Sequence, residues 1–335
     1  MTKTYSLLTI CAILIAMVGC GYNPGQDSEA SRKQVTITLV GSSILGPAVK
    51  DLTDNWNAWR GVNSMGSVTV VGKYDASSKL TNELLDTKGN GVELAILGSD
   101  AERKRLERAG LAGERNRQLA SFGMIAQTPL VIVTTAGNPS NLHELTDLCR
   151  PNLKVLLLSP QDSSLGQWTL IALYQLLLQQ NAGNEDAAKL GLANFKRNVI
   201  KQPANAHQAL AELKESGGVA MIAYEADALE FVKAEASQEL TVVTPTKTMM
   251  CDFVICLLDS IPNEDEAIAA TDFVSYLSAE AGQRIFIRHY FNSPLFPEMN
   301  PPTRYANVKS MLHIDDFGGF ELAKKEIVDG IWTNL

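Results

Sequence analysis

The turn Gly41-Ser42-Ser43-Ile44-Leu45-Gly46-Pro47 sets the architecture expected of this chain. Before it, Gln34 to Val40 (QVTITLV) alternates β-branched and polar residues, as a strand does. After it, Val49, Leu52, Trp56 and Trp59 fall at helical spacing and predict one buried helix face. Strand, small hydroxyl-bearing loop and helix in that order aim backbone N–H groups and two hydroxyls at one spot. The helix start adds about half a positive charge there without any Lys or Arg. An oxyanion suits such a place, and a plain turn with serine as N-cap has the same sequence.

Outward from this turn, strands and helices alternate. Ser67–Val71, Val92–Leu97, Thr128–Thr135, Lys154–Leu158, Val219–Ala223 and Met250–Leu257 read as strands. Helices are predicted from Leu80, over Asp100–Ala109 (highly charged and solvated), at Leu142–Leu148, and from Trp168 to about Gln180. Further helices are predicted over Ala206–Glu215, Ala226–Ala234, Glu264–Leu277 and Ala279–Tyr290. This order predicts an α/β protein with mostly parallel sheets, whose ligands bind beyond the carboxyl ends of strands.

A length of 335 residues suffices for two domains, and 45% hydrophobic with 20% charged residues describes a globular protein. A net charge of −8 without a Lys/Arg-rich run argues against a nucleic-acid partner. At the N-terminus, Lys3 precedes the apolar run Leu7–Val18, too short to span a bilayer and of signal-peptide length. Val18-Gly19-Cys20 after it resembles the bacterial lipoprotein box, which implies a signal over residues 1–19 and lipidation of Cys20. Residues 20–34, rich in Gly, Asn, Ser and charge, read as a flexible tether. Of the remaining cysteines, Cys251 and Cys256 are an odd number apart in a strand and point to opposite faces. Cys149 in a disulfide and three buried free thiols both stay open. No ligand spacing for a structural zinc exists.

The order of segments resembles the periplasmic molybdate/tungstate-binding family of ABC-importer solute-binding proteins. Gly41-Ser42-Ser43 and Ala76-Ser77-Ser78 are similar to its two anion loops. Thr128–Val133 with Gly137-Asn138-Pro139 is similar to its crossover strand, and Leu145–Pro151 and Ser159–Gly166 follow its order. Asn205–Leu210, Ile222–Ala228 and the closing helices of Ala270–Phe291 complete the likeness, over roughly residues 35–295.

The resemblance implies a type II, two-lobe fold of mixed, mostly parallel sheets with helices on both faces and two hinge crossovers, near residues 125–130 and 248–256. Lobe 1 would comprise 35–127 plus 251–335, and lobe 2 would comprise 128–250. It implies a ligand in the cleft, molybdate or tungstate, held by Ser42 or Ser43, Ser77 or Ser78, the main chain at Leu165 and Ala206, and the Tyr224 hydroxyl. It also implies no cofactor, a monomer, ABC permease partners, and membrane attachment only through Cys20. Phosphate or sulfate is the alternative ligand, and a carboxylate of Asp75, Asp162 or Glu225 in the cleft would favour phosphate. An anchored sensor lobe is a further alternative.

Several residues have plainer readings. Tyr224 suits a core position, Ser163 and Ser164 suit helix caps, His207 suits solvent, and Asp227 suits a helix start or a pair across the hinge. Glu321–Trp332 reads as an amphipathic helix packed on the first lobe. No nucleophile elbow, His-Glu-x-x-His or P-loop occurs, and the four histidines suggest no catalytic set, so an enzyme is not expected.

Overall fold

The computed structural model describes residues 34–335, apart from 64, 216–218, 236–238 and 262. The segment expected as a signal, residues 1–19, and Cys20 lie outside the described residues. Ten strands run β1 (Val35–Ser42), β2 (Val68–Asp75), β3 (Leu94–Leu97), β4 (Met124–Thr135), β5 (Lys154–Leu156), β6 (Val199–Lys201), β7 (Val219–Tyr224), β8 (Leu240–Val243), β9 (Lys247–Leu257) and β10 (Ser310–Leu312). Their order is β2-β1-β3-β9-β4-β7-β5-β6, with β10 beside β9 and β8 beside β4.

Parallel pairs join β1 to β2 and β3, β5 to β6 and β7, and β9 to β10. Every antiparallel pair involves β4 or β9, the two longest strands. The sheet is therefore mixed, as expected: parallel pairs prevail, and the antiparallel ones arise because two central strands run against their neighbours. Both change partners along their length. β4 pairs with β9 through Pro129 and with β7 from Leu130; β9 pairs with β10 through Met249 and with β4 from Met250. One chain thus crosses twice between the two halves of a two-lobe α/β fold.

The helices are α1 (Gly46–Val62), α2 (Ser77–Thr87), α3 (Asp100–Arg108), α4 (Glu114–Arg117), α5 (Ser164–Gln180), α6 (Glu185–Asn198), α7 (Ala206–Glu215), α8 (Glu225–Glu235), α9 (Glu264–Ser278), α10 (Glu280–Arg288) and α11 (Phe320–Ala323). Helix α1 buries Val49, Leu52 and Trp56, the last against Phe273 of α9 at 4.8 Å between ring centroids. Each such side chain contributes about 1.5–3 kcal/mol on burial. Trp59, expected on this face, is exposed, and the edge beside Trp56 goes to Arg60, whose guanidinium lies 4.8 Å above the indole. Helix α6 was not apparent from the sequence. Its buried apolar residues are Ala188, Leu192 and Phe195, joined by Asn198, and the Asn184 side chain caps it by accepting from the Ala187 N–H.

Cys149, Cys251 and Cys256 are buried free thiols. Burial pushes Cys149 and Cys256 up to about 12, so they stay protonated and inert. The tail is helical from Phe320 to Asn334, passing through a π-helical stretch at Lys324–Ile331. Expected on the first lobe alone, it also packs on α5 and α6. Phe320 meets Trp168 edge-on at 4.6 Å, and the Lys196 ammonium donates to the Trp332 carbonyl at 3.0 Å. Its apolar residues find larger apolar neighbours there than α3, whose exposed Arg108 holds Glu321 at 2.7 Å.

Candidate functional site

Strands β1 and β2 are parallel with Ser42 opposite Asp75, so the chain leaves both at one level. From β1 it enters the 3-10 turn Ser43–Leu45 and then α1; from β2 it enters α2 through Ala76. On the other side, α5, α7 and α8 begin at Ser164, Ala206 and Glu225. These starts converge on one enclosed cavity with about 10 Å3 of free space, room for about one water-sized group.

Ser42, Ser43 and Ser77 face this cavity from one side, and Leu165, Ala206 and Tyr224 from the other. Ser163, Ser164, Asn205 and Asp227 complete its polar lining, and no Lys or Arg among the described residues lines it. The Ser42 and Ser163 hydroxyls, at N-cap positions, make no capping bond, so the backbone N–H groups of those turns are not consumed by side chains. Convergent helix starts give a positive potential made of peptide units.

The second serine loop is differently placed. Ser78 does not reach the cavity. Its hydroxyl donates to Glu102 Oε1 at 2.6 Å and accepts from Gln167 Nε2 at 3.2 Å. Ser77 lines the cavity, yet it donates to Glu102 Oε2 at 2.6 Å and accepts from the Gly98 N–H at 2.8 Å. Glu102 sits on α3, expected to be solvated, but is 3% exposed. Burial raises its carboxyl pKa, opposed by hydrogen bonds from Ser77, Ser78 and Gly98. No sequence signal distinguished Glu102 from its charged neighbours.

Two hydrogen bonds join segments near the cavity. The Trp168 indole donates to the Gly98 carbonyl at 2.8 Å, and the Lys79 N–H donates to the Asp162 carbonyl at 3.1 Å. Gly98 is required by this approach, because a Cβ there would stand 2.1 Å from Ser164 Oγ. Tyr224 is 2% exposed, its ring edge-on to Phe253 at 5.2 Å and its hydroxyl 3.2 Å from Ser164 Oγ. Burial raises its pKa well above the usual value, so it remains a donor.

The carboxylates considered for the cleft are engaged elsewhere. Asp75 accepts from Lys79 and the Ala76 N–H, Asp162 accepts from Ser159, and Glu225 pairs with Arg304 at 2.7 Å. His207 is exposed and lies edge-on to Phe231. Asp227, read as a helix start, is the carboxylate that lines the cavity. Its Oδ2 is buried without a partner, and burial pushes its pKa up to about 7. A larger groove of about 730 Å3 between α3 and the tail is open and lined by both charges, including Asp100, Arg103, Lys104 and Asp252. It lacks the converging helix starts. Among the described residues, no helix is long and apolar enough to cross a membrane, and no three His, Cys, Asp or Glu side chains are grouped as a metal would need.

Comparison with known proteins adds the following. The model of a family described as "Bacterial extracellular solute-binding protein" matches residues 37–292. A sulfate-binding protein of Synechococcus elongatus is 21% identical over 96% of this chain and 92% of its own. The solved structure of the sulfate-binding protein SubI from Mycobacterium tuberculosis superposes with a TM-score of 0.75 at 22% identity, over 88% of this chain and 99% of that one. The molybdate-binding protein ModA of Mycobacterium bovis is 28% identical, over 45% of this chain and 54% of its own.

Proposed function

We propose, because this chain belongs to the bacterial extracellular solute-binding proteins, that it captures a tetrahedral oxyanion dianion for an ABC importer. The observation that carries this reading is the convergence of helix starts on one cavity lined by serine hydroxyls and, among the described residues, by no Lys or Arg; the lobes part to admit an anion larger than its water-sized space. Neutral, preorganised donors hold a dianion without a counter-charge, and a closed, dry site strengthens each bond. The family is one of binding proteins, and catalysis has no part in the proposal. Sulfate is the foremost ligand, since the relatives matched over nearly their whole length are named for sulfate. Molybdate or tungstate is the second reading, supported by the shorter match to ModA.

In this reading Ser42, Ser43 and Tyr224 donate hydroxyls, Leu165 and Ala206 donate main-chain N–H groups, and Ser77, in place of Ser78, forms the second-loop wall with its proton committed to Glu102. Lobe 1 is residues 35–127 with 251–335, lobe 2 is 128–250, and Cys20 carries a lipid anchor outside the cytoplasm. A thermal-shift panel of sulfate, molybdate, tungstate, phosphate and vanadate tests it. A ligand at a hundred times its Kd adds about 2.7 kcal/mol of stability, raising Tm by roughly 4 °C. Sulfate giving the largest rise supports the reading; no rise with any of the five rejects it.

A further inference from the structure

The cavity holds one group that an all-donor site for a bare dianion does not need. Asp227 lies in the first turn of α8, lines the cavity, and presents a buried Oδ2 that accepts no hydrogen bond. A carboxylate facing a dianion repels it, and the two coexist only when a proton lies between them. We propose, resting on the oxyanion reading above, that Asp227 is the specificity-determining residue of this site and that the anion binds together with one proton, shared between Asp227 Oδ2 and a ligand oxygen.

The balance differs between ligands. Monohydrogen phosphate brings the proton, and its O–H donates to ionised Asp227. Sulfate brings none, so Asp227 takes one from solvent and donates to a sulfate oxygen. No covalent bond is made or broken.

The neighbourhood leaves Asp227 free to titrate. Helix α8 packs on α7, β4, β7 and β8. Strands β4 and β8 carry no titratable side chain. Strand β7 offers Tyr224, which burial keeps protonated. On α7, His207 is exposed and Glu212 is paired with Lys201. On α8 itself, Glu225 is held by Arg304, Glu230 by His289 at 3.1 Å, and Lys233 lies over the Tyr290 ring. Across the cavity, Glu102 is taken up by Ser77 and Ser78. Burial alone sets the Asp227 pKa at about 7, which places its proton exchange in the ordinary range of pH.

The test is calorimetric titration of the wild-type protein with sulfate and with phosphate, from about pH 6 to about pH 8.5, in two buffers of different ionisation enthalpy. Expected for sulfate is uptake of close to one proton above pH 7 and an affinity falling about tenfold per pH unit there. Phosphate, in its monohydrogen form, should bind with little proton exchange, so its affinity relative to sulfate climbs as pH rises. In Asp227→Asn the amide replaces the shared proton with a fixed donor. Sulfate affinity then becomes independent of pH, and phosphate weakens by about ten- to a hundredfold. Sulfate binding with the same affinity across the range and no proton exchange overturns the proposal and leaves the oxyanion reading intact. Failure of both anions to bind overturns this proposal, and the oxyanion reading falls with it only if molybdate, tungstate and vanadate also give no thermal shift. The buffer comparison on wild-type protein decides the matter even if Asp227→Asn does not fold.

Discussion

The two serine loops at the ends of β1 and β2 share one sequence signature and sit in parallel strands at matching register. Their chemistry differs. Ser42 and Ser43 face the cavity, and the Ser42 hydroxyl makes no capping bond. Ser77 and Ser78 both spend their single proton on Glu102, a side chain more than twenty residues away on another helix. A hydroxyl with its proton committed offers a ligand only lone pairs. Glu102 therefore makes the first loop the donor side of the site, and the second a braced wall. Loops that look alike in sequence are told apart by what a third element places behind them.

The sharpest way to break this contrast is to remove the brace. Glu102→Ala leaves two buried hydroxyls without their acceptor and opens a void. Denaturant unfolding should show a loss of about 3–4 kcal/mol, and Glu102→Gln, which keeps one acceptor oxygen, should lose about half of that. Equal, small losses in both would mean that the brace is incidental.

Next in size is the donor side. Ser43→Ala and Ser42→Ala should together lower sulfate affinity by about ten- to a hundredfold in calorimetric titration, with apo Tm nearly unchanged. A lowered apo Tm at unchanged affinity would make both serines turn-formers only.

Smallest is Ser78→Ala. This hydroxyl is buried 2% exposed, bonded to Glu102 and Gln167, and away from the cavity. It should cost about 1 kcal/mol of stability and change affinity less than twofold. A larger fall in affinity would return Ser78 to the ligand.

Much of the fold was legible because its signals are local. The strand–turn–helix runs around Gly41 and Ala76, and the apolar stretches of β4 and β9, carry their own periodicity. What stayed hidden depends on distant partners. Helix α6 buries too narrow a stripe, Ala188, Leu192 and Phe195, to stand out from its charged residues. Of the site, Ser42, Ser43, Ser77, Leu165, Ala206 and Tyr224 were named from the sequence and are brought together in one cavity. Choosing between Ser77 and Ser78 required Glu102, and a buried glutamate reads like any other on a charged helix. Asp227 was read as a helix-starting residue or a partner across the hinge and not as a cavity group, because the cavity it lines is built from α7, the α5 start and the serine loops.

The Lys- and Arg-free lining also bears on how an anion arrives. The attraction of a helix start fades within about one turn, whereas the field of a net −8 chain reaches out to about a Debye length. A dianion approaching from solution is therefore repelled until it enters the mouth of the cleft, and attracted only once inside. Capture is unsteered and retention is strong, so adding salt should speed association by screening the outer repulsion while the dissociation rate barely moves.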